Sequence, residues 1–433
     1  MTTPNQSRVP QPGTGEAAAP AALGRSASWF TQARLGAEFH WGPAAMLGAG
    51  ENALFHQALP LAEYQALAEA WEPEAFEARA WAEAARAGGL RYVIFPARAS
   101  DGFCLWRTAT TSFCSVHSGA GRDYLAEFIV AAREAGLKIG VSFSLADWSD
   151  ATCLTGPNRA TPAAWAAFTS KVAAQFREIL TGYGALDLVQ FAEPGGLNAE
   201  QWRAAELVAM VRQWQPEALL SYAWPLSQVK GGTGWPHPDI ATVTRPDFKQ
   251  PGFWQTPGLP YTEFTEHGWR ETMSQKEACA SEAALLDLAV NAAMAGGNLL
   301  LQLSPDGRGI WPVPVRGALR ELGRWLETHG ESIYGTGRVR YQAGLRHTRR
   351  GRVLYLHFAG RATWAWDAEK AEYAFHGLPE QVHSAFLVGS PGRRLNCEWS
   401  VGGIARVRGL PAPGSREWGR PGGVVGLRLA PEA

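Results

Sequence analysis

Short apolar runs alternate with longer amphipathic stretches between about residues 30 and 330. The apolar runs are continuous, which is typical of parallel strands that are buried on both faces. The amphipathic stretches repeat their apolar positions every three or four residues, which indicates helices. The runs that predict strands are 33–42, 91–97, 137–145, 186–192, 218–224 and 298–305.

Predicted helices follow these strands, so the chain is built from repeated strand–helix units. They cover EYQALAEAW, EARAWAEAARAGG, 122–136, 161–181, 199–214 and 312–328. Repetition of this unit over about 300 residues favours the α/β class and a closed (β/α)8-like barrel. An open doubly wound sheet is the alternative. No G-x-G-x-x-G follows the first strand, which weakens the case for a dinucleotide site.

After about residue 337 the apolar runs become shorter and are separated by Gly, Pro and Asp. This spacing predicts a small antiparallel β-sandwich. Residues 1–27 are rich in Pro, Ala and Gly and have no apolar periodicity, so we expect a disordered tail there. The predicted division is therefore a tail (1–27), a barrel (28–337) and a C-terminal β-sandwich (338–433).

Composition narrows the classes of partner. The 433 residues include 40 basic and 40 acidic side chains, so no strong field favours nucleic acid or an anionic membrane. The N-terminus lacks the apolar core of a signal peptide, and no apolar run is long enough to span a membrane, which predicts a cytoplasmic protein. Five scattered cysteines argue against a disulfide framework or a zinc site. We expect no cofactor, and the oligomeric state stays open.

Tryptophan is unusually frequent, with 19 residues in the chain. Flat aromatic faces suit stacking against pyranose rings, although most of these side chains are expected to lie in the core. In a barrel, the working residues lie at the C-terminal ends of the strands. Polar and aromatic residues cluster at those ends here, which predicts a cleft for a carbohydrate or another small polar ligand. These clusters are 40–42, 98–101, 147–148, 191–193 and 223–224.

Seven segments carry a more specific pattern: FHWGP (39–43), DGFCLW (101–106), 121–148, LTGYGALDL (180–188), QPEALL (215–220), GGNLLLQLSPDGRG (296–309) and HGESIYGT (329–336). Together and in this order they resemble the α-L-fucosidases, retaining glycoside hydrolases with a (β/α) barrel and a C-terminal β-sandwich. The resemblance covers about residues 30–337, with a matching sandwich behind. It implies two catalytic carboxylates about 5 Å apart, one a nucleophile and one an acid/base.

Several positions that contact the sugar in this family are changed in this chain. The resemblance implies an aspartate nucleophile at the end of the fourth strand, and Ala192 occupies that position. The family motif K-H-H-D-G-F carries two sugar-binding histidines, which are Ala99 and Ser100 here. An arginine expected near Ala223 is also absent. The resemblance therefore implies a fucosidase scaffold that has lost its fucose-specific polar groups.

Three glutamates are candidates to restore catalysis. Glu193 lies next to Ala192 and is one methylene longer than aspartate. Strand alternation directs Glu193 to the opposite face, although residues 194–196 (PGG) can redirect the chain. Glu263 and Glu266 match the loop that carries the family's acid/base, where exposed glutamates without a role are the commoner case.

The remaining candidates are substrate-binding residues. The resemblance gives His40 a hydrogen bond to the sugar, and the alternative is a structural histidine that caps the barrel mouth. Asp147 is a further carboxylate in a region that lines the substrate in the family. Trp106 and Trp148 either line the cleft or belong to the core. The predicted substrate-binding set is His40, Trp41, Arg98, Asp101, Trp106, Asp147, Trp148 and Trp269.

Two hypotheses about function follow. In the first, the chain has the fold and ancestry of an α-L-fucosidase, its fucosidase activity is lost or greatly weakened, and its cleft binds a carbohydrate or another small polar ligand. In the second, it is an active glycoside hydrolase that uses Glu193 or Asp147 with Glu263 or Glu266 on a sugar other than fucose. A structural or partner-binding role is the remaining alternative.

Overall fold

Eight parallel strands form a closed barrel in chain order. Strand β1 pairs with both β2 and β8, which closes the ring. This arrangement confirms the predicted barrel and excludes the open sheet. The strands are β1 (Leu35–Phe39), β2 (Tyr92–Arg98), β3 (Lys138–Ser144), β4 (Leu188–Ala192), β5 (Leu219–Tyr222), β6 (Ile240–Thr242), β7 (Phe253–Gly258) and β8 (Asn298–Leu303).

The computed structural model describes most of the barrel and much of the C-terminal region. The described residues are 27–48, 54, 57, 59–192, 194–223, 235–243, 253–258, 282–338, 346–358, 372–376, 378, 380–390, 393–400, 402–411, 418 and 422–430.

Helices surround the barrel, and side-chain caps begin some of them. Asp123 accepts a hydrogen bond from the Ala126 N–H at the start of α4, and Thr161 does the same for the Ala164 N–H at the start of α6. Among the described residues, no helix is both long and apolar enough to cross a membrane. The helices are α1 (Ser28–Ala33), α2 (Leu61–Glu69), α3 (Ala78–Ala87), α4 (Tyr124–Glu134), α5 (Ala151–Thr155), α6 (Pro162–Gly182), α7 (Ala204–Trp214), α8 (Glu282–Met294) and α9 (Val313–His329).

Alternate residues of each barrel strand face opposite sides. On β1, Ala37 and Phe39 pack beneath the helices, whereas Glu38 between them faces the barrel interior. Tyr92 fills the lower interior beside Gly36, where any Cβ would overlap the Tyr92 ring. Helix α1 closes this end of the barrel. The buried side chains of the lower interior are Ala27, Phe30, Ala33, Tyr92, Ile94, Leu188, Leu219, Ile240 and Leu300.

Strands β6 and β7 were not among the predicted strands. Strand β6 has three residues, and its pairing with β5 consists of one residue pair, Ser221 with Ile240. Strand β7 ends in Pro257 and Gly258, which are disfavoured in strands. Because both elements depend on their neighbours in the barrel, their local sequence carries little strand signal.

The C-terminal region is antiparallel, with strand order β11-β14-β13-β12-β15-β10-β9. Phe358, just after β10, packs edge-on against Tyr373 of β11, with ring centroids 5.6 Å apart. Strands near opposite ends of the sheet therefore face each other across one core, which confirms the predicted β-sandwich. The strands are β9 (His347–Arg350), β10 (Val353–His357), β11 (Glu372–Phe375), β12 (Val382–Leu387), β13 (Arg394–Ser400), β14 (Ile404–Arg408) and β15 (Val424–Leu429).

Helix α9 joins the barrel to the sandwich. Trp325 on this helix donates its indole N–H to the Gly422 carbonyl at 2.8 Å. Its ring stacks on His329 with centroids 4.6 Å apart and lies 6.3 Å from the His357 ring of β10. Aromatic packing and one buried hydrogen bond therefore fix the sandwich against the helix layer.

Candidate functional site

Ala192 is the last residue of β4, and its side chain faces the barrel interior. Two residues earlier, Gln190 donates from its amide to Glu38 inside the barrel, and residues two apart on a strand share a face. Ala192 is half-buried and pairs with Ser144 of β3. A methyl group therefore stands at the interior end of the fourth strand, and it offers neither a nucleophile nor a charge.

The chain turns immediately after this strand. Gly195 and Gly196 both have positive φ angles, of 59° and 73°. Such angles favour glycine, so the two consecutive glycines in the sequence favour this turn. The predicted catalytic residues Glu193, Glu263 and Glu266 and the predicted binding residue Trp269 lie outside the described residues.

Arg98, at the end of β2, faces the helix layer and is 1% exposed. A register shift between Pro96 and Arg98 aligns Arg98 with Phe143, which packs on the outside of the barrel. The guanidinium donates to Gln175 of α6 and to the Ser144 carbonyl. A bulge has therefore rotated this predicted binding residue away from the barrel interior and into internal contacts.

Asp147 lies beside that arginine, and it too is buried. It accepts hydrogen bonds from Ser149 Oγ at 2.5 Å and Lys171 Nζ at 3.0 Å, and it lies 3.8 Å from the Arg98 guanidinium. Burial by itself would raise its pKa, but Arg98 and Lys171 together hold that pKa below its usual value. The result is an ionised carboxylate whose neighbours are cations of the protein itself.

Asp101 anchors the loop after β2. It accepts a hydrogen bond from the Tyr64 hydroxyl of α2 and another from the Phe103 N–H. Gly102, between Asp101 and Phe103 in the sequence, has a φ of 82°, and a Cβ there would overlap the Asp147 carboxylate. Asp101 is 2% exposed, so its observed contacts tie the loop to a neighbouring helix.

The predicted tryptophans differ in their surroundings. Trp41 is buried, stacks on Phe76 with centroids 4.8 Å apart, and donates to the Asp306 carbonyl. Trp106 is also buried, and it donates to Glu178 of α6 at 3.0 Å. Trp148 is partly exposed and packs against the edge of the core. Of the three, Trp148 keeps the most surface for a ligand.

His40 follows β1 and lies at the top of a polar chain that the sequence analysis did not identify. Its Nε2 donates to the side-chain carbonyl of Gln302, whose amide group donates to Glu38 at 3.1 Å. The second carboxylate oxygen of Glu38 accepts from Gln190 at 2.5 Å. Gln190 in turn accepts from Gln255 at 3.2 Å. Four strands therefore contribute to one hydrogen-bonded chain below His40.

This chain of hydrogen bonds orients the imidazole ring of His40. Both carboxylate oxygens of Glu38 accept from amide groups, so the Gln302 side chain turns its NH2 to Glu38 and its carbonyl to His40. His40 must then carry a proton on Nε2. The sequence signal was the presence of single polar residues within apolar strands, as in LGAEFH (35–40), LVQFA (188–192) and NLLLQL (298–303). Whether polar residues at such positions face the barrel interior can be decided only when the strand register is known.

Comparison with known proteins identifies the scaffold. The family model described as alpha-L-fucosidase matches residues 18–331. This chain belongs to the α-L-fucosidase family. It is 24% identical over 341 residues to the plasma alpha-L-fucosidase of Rattus norvegicus, an alignment that covers 73% of this chain and 72% of that protein. The human plasma alpha-L-fucosidase is likewise 24% identical over 354 residues, 73% of this chain and 70% of its own length.

Solved structures of the α-L-fucosidase family extend the similarity into the C-terminal region. Alpha-L-fucosidase isoenzyme 1 from Paenibacillus thiaminolyticus superimposes with a TM-score of 0.78 and 25% identity, over 94% of this chain and 100% of that one. The Thermotoga maritima alpha-fucosidase in complex with fucose has a TM-score of 0.71 and 23% identity, over 92% and 96% of the two chains. The fold is therefore that of a glycoside hydrolase of this family.

Proposed function

We propose that this chain is a carbohydrate-binding member of the α-L-fucosidase family whose fucosidase activity is lost or greatly weakened. The observation that carries the proposal is the interior-facing methyl group of Ala192 at the end of β4. Formation of a covalent glycosyl intermediate requires a carboxylate nucleophile on the reacting face of the sugar. Alanine supplies no atom that can attack the anomeric carbon.

The surroundings of Ala192 support the same proposal. Ala99 and Ala223 are partly exposed small residues after β2 and β5, where the family resemblance implies a histidine and an arginine. Arg98 and Asp147 are held together on the helix side of the barrel. His40 and Trp148 retain partial exposure, so an imidazole and an indole are available for a polar, flat ligand.

Hydrolysis of an aryl α-L-fucoside is the direct test. We expect the protein to release aryl alcohol at least about a thousandfold more slowly than an active family member, because loss of a nucleophile removes the covalent pathway. Fucose and a panel of other monosaccharides should be titrated calorimetrically against the same preparation. Saturable binding of a sugar without turnover is the expected result, and His40→Ala should weaken it at least fivefold.

A matched pair of variants tests the alternative, an active glycoside hydrolase in which Glu193 acts with Glu263 or Glu266 on a different sugar. The turn at Gly195 and Gly196 begins directly after Glu193, which is the feature that favours this alternative. Turnover of any aryl glycoside that disappears in Glu193→Gln but persists in the exposed control Glu200→Gln would overturn our proposal. Absence of both turnover and sugar binding would favour a structural role.

A further inference from the structure

A second concave site lies at the opposite end of the barrel from the strand ends discussed above. It has a volume of about 350 Å3 and is lined by Arg91, Lys138, Arg350, Trp29, Tyr334 and Gln32 among others. Arg91 directly precedes β2 and Lys138 begins β3, so both lie at N-terminal strand ends. Arg350 ends β9 of the sandwich. The pocket therefore collects cationic side chains from both parts of the molecule.

The charges in this pocket are poorly balanced. Lys138 forms an ion pair with Asp187 at 2.7 Å, and that aspartate is not among the lining residues. For Arg91 and Arg350, no ion pair occurs within the part of the chain that the structure describes. None of the described lining residues carries a carboxylate. Cations that converge without counter-charges repel one another, and an anion between them removes that repulsion.

Aromatic contacts hold two of the three cations in place. The Arg91 guanidinium lies 4.1 Å from the centre of the Tyr334 ring, and the Tyr334 hydroxyl is fixed by a hydrogen bond to the Gly89 carbonyl at 2.5 Å. Lys138 Nζ lies 5.8 Å from the Trp29 ring centre. Side chains that are already positioned lose less conformational freedom when a ligand binds. Arg350 is exposed and lines the pocket from the sandwich side.

We propose that this pocket is a binding site for a small, free, multivalent oxyanion of the pyrophosphate class. Guanidinium groups donate paired hydrogen bonds to phosphoryl oxygens. Two guanidinium groups line the pocket, Arg91 from the barrel and Arg350 from the sandwich. Its volume corresponds to on the order of ten water molecules at about 30 Å3 each, which exceeds the need of a single phosphate group. Such a ligand would connect the barrel with the sandwich.

Calorimetric titration of the full chain with pyrophosphate, at constant ionic strength, tests this proposal. We expect saturable one-site binding, and weaker binding of inorganic phosphate because it carries less charge. Arg350→Gln should weaken pyrophosphate binding at least fivefold, and Arg350→Lys should recover part of the loss. Arg320→Gln is the matched control, because Arg320 is an arginine of α9 with a 69% exposed side chain that lies outside the pocket.

Thermal unfolding gives a second readout that does not depend on heats of binding. Pyrophosphate should raise the unfolding temperature of the wild type and of Arg320→Gln, but much less that of Arg350→Gln. Without the anion, Arg350→Gln should unfold at or slightly above the wild-type temperature, because its side chain is exposed and its removal lessens the repulsion between the cations. The proposal is overturned if the wild type shows no saturable binding, or if Arg350→Gln and Arg320→Gln lose affinity equally.

Discussion

Glu38 is a buried carboxylate with both oxygens occupied by amide donors from neighbouring strands. Gln190 donates to one oxygen and Gln302 to the other. Such a group is tolerated in a barrel interior because its hydrogen bonds replace those it would make with water. Its position also decides the orientation of the amides around it, and through Gln302 the proton position on His40.

Replacing Glu38 by glutamine should therefore disturb the chain of hydrogen bonds, although the volume of the side chain hardly changes. A glutamine has one acceptor oxygen, so one of its two amide partners faces another NH2 group. We expect Glu38→Gln to lower the free energy of unfolding by about 1–3 kcal/mol, measured by urea denaturation. Glu83→Gln on the exposed face of α3 should change it by less than about 0.5 kcal/mol.

A reorientation of Gln302 would relieve that conflict, and it has its own signature. The amide would then turn its NH2 to His40, so the imidazole would have to accept at Nε2. Nitrogen NMR of the His40 ring distinguishes the two tautomers. An unchanged tautomer together with unchanged stability would contradict the role of Glu38 described above.

At the scale of elements, most barrel strands and helices were predictable because their periodicity is set by burial. Continuous apolar runs at β2, β3 and β8 and the amphipathic helices α4 and α9 all appear where the sequence placed them. Strands β6 and β7 were missed because their pairing, rather than their composition, holds them in the sheet. The bulge that rotates Arg98 is likewise a property of the pairing of β2 with β3.

Gly36 shows how strictly one strand depends on the packing of the next. A methyl group at this position would enter the space of the Tyr92 ring. We expect Gly36→Ala to destabilise the protein by about 1–3 kcal/mol through overpacking of the barrel interior. Gly182→Ala at the end of α6 is the control, since nothing lies within 4 Å of its Cβ position. That variant should be neutral or gain up to about 1 kcal/mol from helix propensity. Chemical denaturation measures the free energy of unfolding of both variants. Equal losses in the two variants would refute the packing argument.

Buried histidines lie at the junction between the barrel and the sandwich, and they make the stability of the whole molecule depend on pH. Burial, with further contributions from His329, His347 and Arg346, lowers the pKa of His357 to about 3. Burial also lowers the pKa of His329. Between roughly pH 6.5 and 3 the unfolded chain therefore binds protons that the folded chain excludes. Stability is highest above this range and falls as the pH decreases through it.

The expected loss from His357 approaches about 1.4 kcal/mol per pH unit below pH 6.5. Urea denaturation at pH 7.5 and 5.0 measures it. The lowered pKa of Asp147 acts in a separate range, because its contribution is lost only below its usual value of 3.8. His357→Gln keeps a partner for Thr348 Oγ1 and should reduce the slope between these two pH values. An identical slope in the variant would show that other groups cause the loss of stability.

The sequence by itself determined the architecture, the family and the alanine at position 192. These follow from local burial patterns and from motifs that are read in order along the chain. Only the tertiary structure decided which side of the barrel each polar residue occupies. It placed Arg98 and Asp147 among the helices, and it revealed Glu38 beneath His40. The reason is physical: a bulge or a register shift of one residue reverses the direction of a side chain. Register depends on pairing between strands that are far apart in the sequence.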